Sequence, residues 1–146
     1  MQFHLLTLNS FRYYLHLFHH KNYYYYYRGG GGLGSRGSGP LRLKEAASAG
    51  EILGVSVREN LGLADGFFEN NQAAKLQIIE QIRLHQPQII LANALSDRHP
   101  DHARAGHMVA EACFLAGLRK IHTTHQGVEQ QSYRPKLVLH YIQDYL

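Results

Sequence analysis

The chain has 146 residues, 45% of them apolar, and a formal net charge of +4. Such a length supports one domain with a real core and excludes several. The modest positive balance suits an anionic small molecule or weak nucleic-acid contact and by itself decides neither.

Residues 1–32 differ in kind from the rest of the chain. Phe, Tyr, His and Leu dominate, Tyr23 to Tyr27 form an unbroken run, and Arg28 leads into Gly29 to Gly32. The apolar residues are broken by Arg12, His16, His19, His20 and Lys21, and no small-residue cleavage site comes after them. No run reaches the length needed to cross a bilayer, so a cytoplasmic protein without membrane contact is expected. No helical or strand period organises the segment, which reads as a low-complexity leader, non-native or disordered. The competing reading is a non-enzymatic binder, because tyrosine faces and guanidinium planes both stack on single-stranded nucleic acid.

From Leu33 the chain is orderly. Leu33 to Pro40 is a glycine-rich loop, and Pro40 opens a helix with Leu43, Ala46, Ala47, Gly50 and Leu53 at helical spacing and Gly54 as its stop. Arg42 and Glu45 lie one turn apart and could pair on a solvated face. Val55 to Leu63 reads as a strand ending at Ala64-Asp65-Gly66, where Asp-Gly is a turn signal. Asn70 or Asn71 caps a helix through about His85, with Ala74, Leu76, Ile78, Ile79 and Ile82 as its apolar face. Pro87 ends it and opens an apolar strand to Asn93.

A further helical pattern runs from about Ala103 to Leu118 with Val109, Ala112, Cys113 and Ala116 inward. Cys113, the single cysteine, excludes an internal disulfide and reads as an inert buried thiol. Leu118 to Ser132 is a polar connection whose His122 and His125 have no carboxylate motif beside them, and Lys136 to Ile142 is a last strand. Alternating helices and apolar strands argue for an α/β fold, a partial doubly wound (Rossmann-like), mostly parallel sheet with helices on both faces.

The polarity concentrates in Asp97-Arg98-His99-Pro100-Asp101-His102-Ala103-Arg104, between that apolar strand and the helix after it. In open α/β sheets, ligands sit where strand carboxyl ends meet such loops. Proline favours the first helical position and holds the residue before it extended, which puts His99 on the loop and His102 on the first turn. The two rings are then expected to converge on a ligand from different directions rather than stack. Metal or catalytic use stands against a solvated polar cap with Asp101 serving the helix dipole.

This stretch, with Glu111 to Ile121 after it, resembles the LmbE-like (PIG-L) family of zinc-dependent N-acetylglucosamine deacetylases. It is most similar to the bacillithiol-biosynthesis branch, which acts on N-acetylglucosaminyl malate. Leu33 to Ser38, Arg42 to Ala47, Ile52 to Val55, Asn60 to Gly66 and Arg134 to Asp144 carry the likeness further. The resemblance implies one zinc ion with His102 as a ligand and His99 as the imidazole beside the oxyanion. It places Arg42 and Asp65 on sugar hydroxyls and Arg36 near the charged end of a small sugar-conjugate substrate. It also implies an Ala-His-Pro-Asp-Asp motif that supplies two further zinc ligands and the general base, and no such motif occurs in this chain. Relatives often carry Glu where this chain has Gly32, and they continue beyond Leu146. The expectation is a fragment, inactive as it stands, whose oligomeric state is open and whose association with nucleic acid is not expected.

Overall fold

The computed structural model describes residues 14–18, 22–26, 39–52, 55 and 57–142. In chain order the elements are β1 (Tyr14–Phe18), β2 (Asn22–Tyr26), α1 (Gly39–Ile52), β3 (Arg58–Asn60), α2 (Gln72–His85), β4 (Ile89–Asn93) and α3 (Pro100–Ala116). A short hairpin of β5 (Thr124–His125) and β6 (Val128–Glu129) comes next, and then β7 (Leu137–Tyr141).

The main sheet has the order β3-β2-β1-β4-β7. β2 with β3 and β4 with β7 are parallel pairs, and β1 is antiparallel to both of its neighbours. β2, β3, β4 and β7 therefore share one direction and β1 alone opposes them, which makes the sheet mostly parallel. The reason for the exception is chain length: three residues separate Phe18 from Asn22, too few for the crossover that a parallel pair requires. Two of the five strands come from the leader, where no period predicted one. Tyrosine and phenylalanine have high strand preference, and an unbroken run of them satisfies it without alternating.

Helix α2 starts where the Asn71 side chain accepts the Ala74 N–H at 3.0 Å. Asn70 is not the cap and instead donates to Glu111 on α3 at 3.0 Å. The helix ends at Gln86, left-handed with φ 46°, whose N–H returns to the Ile82 carbonyl at 2.8 Å. Its apolar face is the expected one, with Ala74, Ile78, Ile79 and Ile82 buried. These pack on Ile90 and Ala92 of β4 and on Ala105, Met108, Val109, Ala112, Cys113 and Ala116 of α3. Each large aliphatic so buried contributes about 1.5–3 kcal/mol. Burial pushes the Cys113 thiol up to about 12, so the inert-thiol reading holds.

Elsewhere the molecule departs from the sequence pattern. Of the expected inward set of α1, Ala46 is buried, Gly50 half-buried and Leu43 and Ala47 exposed, while Leu53 and the expected stop Gly54 lie outside the described residues. The strand expected over 55–63 is only Arg58–Asn60, since the Asn60 side chain accepts the Gly62 N–H and Gly62 turns away at φ 67°. The polar connection after α3 holds the β5–β6 hairpin, closed by Gln126 and Gly127 at positive φ. Gln-Gly is a poorer signature of that turn than Asn-Gly, which is why the sequence hid it. The carboxylates missing beside His122 and His125 come from other positions: His122 pairs with Glu129 at 2.7 Å and His125 with Glu80 at 2.9 Å.

Arg83 is the least expected core residue, at 4% exposure. Its guanidinium donates to the carbonyls of Ala116, Leu118 and Ile121 and to the Thr123 hydroxyl, at 2.7 to 3.1 Å. It satisfies the end of α3, where carbonyls lack helical partners and the dipole favours a cation. Burial lowers its pKa, an effect opposed by Glu129. Substituting Arg83→Ala leaves several of these acceptors without a donor in a dry site. The expected loss is about 3–5 kcal/mol, read as a fall in the urea unfolding midpoint.

Candidate active site at the carboxyl edge of the sheet

β4 delivers the chain to the site. Its last residue, Asn93, is buried, and the loop from Ala94 climbs to α3, with Pro100 at the first helical position and His99 as the N-cap. His99 is extended, at φ −90° and ψ 119°, as the proline requires. Its Nδ1 accepts the Asp101 N–H at 3.3 Å. An imidazole nitrogen that accepts carries no proton, so in the neutral ring the proton sits on Nε2.

His102 lies on the first turn, as expected. Its Nδ1 stands 3.0 Å from Asp97 Oδ1, with the two side chains 6% and 1% exposed. The same Asp97 oxygen accepts the His99 N–H at 2.9 Å. Burial alone would raise the Asp97 carboxyl, but the His99 N–H, the His102 hydrogen bond and the nearby imidazoles outweigh it and hold it below the ordinary carboxylate range. A carboxylate 3.0 Å from Nδ1 favours the proton on that nitrogen, which leaves the lone pair of the neutral His102 ring on the buried Nε2.

The rings of His99 and His102 stack, with centroids 4.8 Å apart and planes 20° from parallel. This corrects the expectation that they converge from different directions. The N-cap bond to the Asp101 amide folds the His99 ring over the first turn, and His102, three residues on, lies beneath it.

Asp101 is fully buried, and both of its oxygens accept hydrogen bonds. Oδ1 takes Arg104 Nη1 at 2.5 Å and Oδ2 takes the Gly66 N–H at 2.6 Å. It is thus far more than a solvated cap. Gly66 belongs to the turn that Asp65 opens, closed by Phe67 and Phe68 N–H groups on the Ala64 carbonyl, with Gly66 at φ 80°. Asp65 is half-buried there, one residue from the bond to Asp101. Arg104 lies over the Phe68 ring at 5.2 Å, which seats the turn further. Of the other expected site residues, Arg42 falls on α1 with its side chain outside the description, and Arg36 lies outside the described residues.

In the sequence Asp97 reads only as part of a polar stretch and Asp101 as a cap serving the helix dipole, yet their positions carry the arrangement. The rule that a metal-bound or catalytic histidine needs a partner on its other nitrogen is the signal that singles out Asp97.

A family model described as PIG-L: GlcNAc-PI de-N-acetylase matches residues 17–113, more than half of the chain. The chain belongs to the PIG-L family. Three solved structures are similar to this PIG-L chain. A conserved protein from Thermus thermophilus is 32% identical over 84% of this chain and 54% of its own, with a TM-score of 0.70. An N,N'-diacetylchitobiose deacetylase from Pyrococcus horikoshii, 23% identical, covers 66% of this chain and 39% of its own at a TM-score of 0.58, a likeness of fold alone. A 4-carboxy-2-hydroxymuconate hydratase from Pseudomonas putida is 26% identical over 60% and 38%, at 0.53. The chain spans about half or less of the length of these solved relatives. The family match takes in the whole tyrosine run, Tyr23 to Tyr27, so nothing favours the nucleic-acid reading.

Zinc, which the family resemblance implies, can be tested against these side chains. His102 has the makings of one ligand, an imidazole oriented by a buried carboxylate. His99 cannot share an ion with it, because a metal lies in the plane of each ring about 2.0–2.1 Å from nitrogen, and stacked planes do not meet. Asp101 is committed to Gly66 and Arg104. Among the described residues no group of three His, Cys, Asp or Glu side chains has the geometry to hold a metal ion. The described residues therefore do not make a zinc cage. Also among them, no helix is long and apolar enough to cross a membrane.

Because the Asp97 carboxyl titrates lower in the folded chain than in the unfolded one, ionised Asp97 contributes stability at neutral pH. That contribution is present above the ordinary carboxylate pKa of about 4 and is lost as the pH falls through the lowered folded value. In urea unfolding from pH 7 to pH 3, Asp97→Asn should be the less stable at pH 7. The gap to the parent should narrow below about pH 4.

Proposed function

We propose that this chain carries the substrate-facing edge of a hydrolase that removes acetyl from an N-acetylglucosaminyl conjugate. The malate conjugate of bacillithiol biosynthesis, in the cytoplasm, is the substrate this reading names. The observation that carries it is the pair of stacked imidazoles with opposite proton positions. His99 offers an N–H at Nε2, and His102, held by Asp97, offers a lone pair.

An amide needs both. Its carbonyl oxygen gains charge as the carbon becomes tetrahedral, and an N–H donor aimed there stabilises it, an effect that mutagenesis of other enzymes puts at about 10²–10³ in rate per donor. The His102 lone pair suits a water proton or a zinc ion, which in an intact relative would activate that water. Asp65, on the turn pinned to Asp101, reads as an acceptor for a sugar hydroxyl, with Arg42 and Arg36 on the hydroxyls and charged end of the same substrate.

His99-Pro100-Asp101 is the chain's single His-Pro-Asp, and the sequence has no second stretch to supply two further ligands and a base. Loss of ligands is more severe than loss of their hydrogen-bond partners, which already costs roughly 10–100-fold. The proposal is therefore binding without turnover. Calorimetric titration with N-acetylglucosaminyl malate should show saturable binding, weakened about tenfold in Asp65→Asn, the scale of one hydrogen bond. Purified chain with zinc should release no acetate from it. Absence of saturable binding would sink the sugar reading, and zinc-dependent acetate release would sink the claim of inactivity.

A further inference from the structure

We infer that His140 is a further ligand-contacting residue of this site, placed to accept a hydrogen bond from a hydroxyl of the bound sugar. The inference rests on the sugar reading and adds a residue that the loop sequence does not contain and to which the resemblance assigned no role. His140 is the fourth residue of β7, and its register partner across the parallel pair is Ala92 of β4. Paired residues on adjacent strands share a sheet face, and so do residues two apart on one strand. Val138 packs against the core, and Ile90 and Ala92 belong to it, so His140 lies on the face that carries α2 and α3. It sits at the carboxyl end of both strands, the end from which the site loop departs.

Its ring is fixed there. His140 Nδ1 stands 2.6 Å from the Asn93 carbonyl oxygen. A carbonyl only accepts, so Nδ1 carries the proton and the neutral ring presents its lone pair on Nε2. α3 also comes close to that carbonyl: a Cβ on Gly106 would fall 2.6 Å from it and 2.8 Å from the Ala94 carbonyl. His140 therefore shares one atom's surroundings with Gly106. His102 is four residues earlier on the same helix, on the same side and about 6 Å further along the axis. The imidazole of His140 thus stands at the foot of the turn that carries His102, with its acceptor nitrogen on the far side of the ring from Asn93. It is exposed, so this acceptor is not consumed by the core. A polyhydroxylated ligand seated over His99 and His102 meets an acceptor of fixed orientation at the sheet edge.

The test uses the full chain, isotopically labelled, with long-range proton–nitrogen spectra of the histidine side chains and free N-acetylglucosamine as the probe. The expected spectrum has His140 protonated at Nδ1, and added sugar shifts the resonances of His102 and His140 together while the surface residue His122 stays still. His140→Phe should weaken sugar binding about tenfold, and His140→Gln, which restores an acceptor, should recover most of it. A His140 proton on Nε2, or sugar that moves His102 with His140 unmoved and His140→Phe binding as the parent does, overturns the inference and leaves the site reading intact. Sugar that moves neither histidine overturns both.

Discussion

The structure depends on one buried carboxylate. Asp101 is fully enclosed at the first turn of α3, where an unpartnered charge would cost several kcal/mol. It is tolerated because three things favour it there: the Gly66 amide, the Arg104 guanidinium and the amino end of a helix. In meeting that requirement the chain ties two distant parts together. The turn bearing Asp65 is drawn against the first turn of α3, where His99 and His102 flank Asp101. Residues 35 apart in sequence are joined through one hydrogen bond, and the candidate site is its consequence.

The other end of α3 is held by a second buried charge of opposite sign. Arg83 fills the carbonyls of Ala116, Leu118 and Ile121 as Asp101 fills donors at the start. A helix so anchored cannot slide along its axis, and Gly106 cannot gain a side chain without meeting the Asn93 and Ala94 carbonyls. Small residues along α3, with Ala105, Ala112 and Ala116 buried, let it lie close to β4 and α2. Close approach is what sets the imidazoles above the sheet edge and not beside it.

Much of this is legible in the sequence. The apolar period of α2, the continuous apolar run of β4 and the proline at the start of α3 each obey local rules, and each element lies where those rules put it. The place of the polar loop is legible too, because a doubly wound sheet has one edge where ligands sit. The hidden part involves residues brought together from far apart. Arg83 reads as a surface cation on a helix until three carbonyls at and beyond the end of α3 are placed around it. The acid that pairs with His125 is hidden in the sequence, because Glu80 lies 45 residues away. The stacking of His99 on His102 is local, yet the spacing misplaces it, because it turns on a side chain accepting its own helix's amide, a bond that spacing does not reveal.

That bond also decides what the two histidines can be. Had both rings projected freely, either nitrogen of either ring could have been the donor, and the pair would have been two interchangeable bases. The backbone amide of Asp101 removes that choice for His99, and the Asp97 carboxylate removes it for His102 in the opposite sense. Two chemically identical side chains thus become a donor and an acceptor, set by the groups on their Nδ1 atoms. The neutral forms differ only in where one proton sits, and that is settled by groups 3.0 to 3.3 Å away.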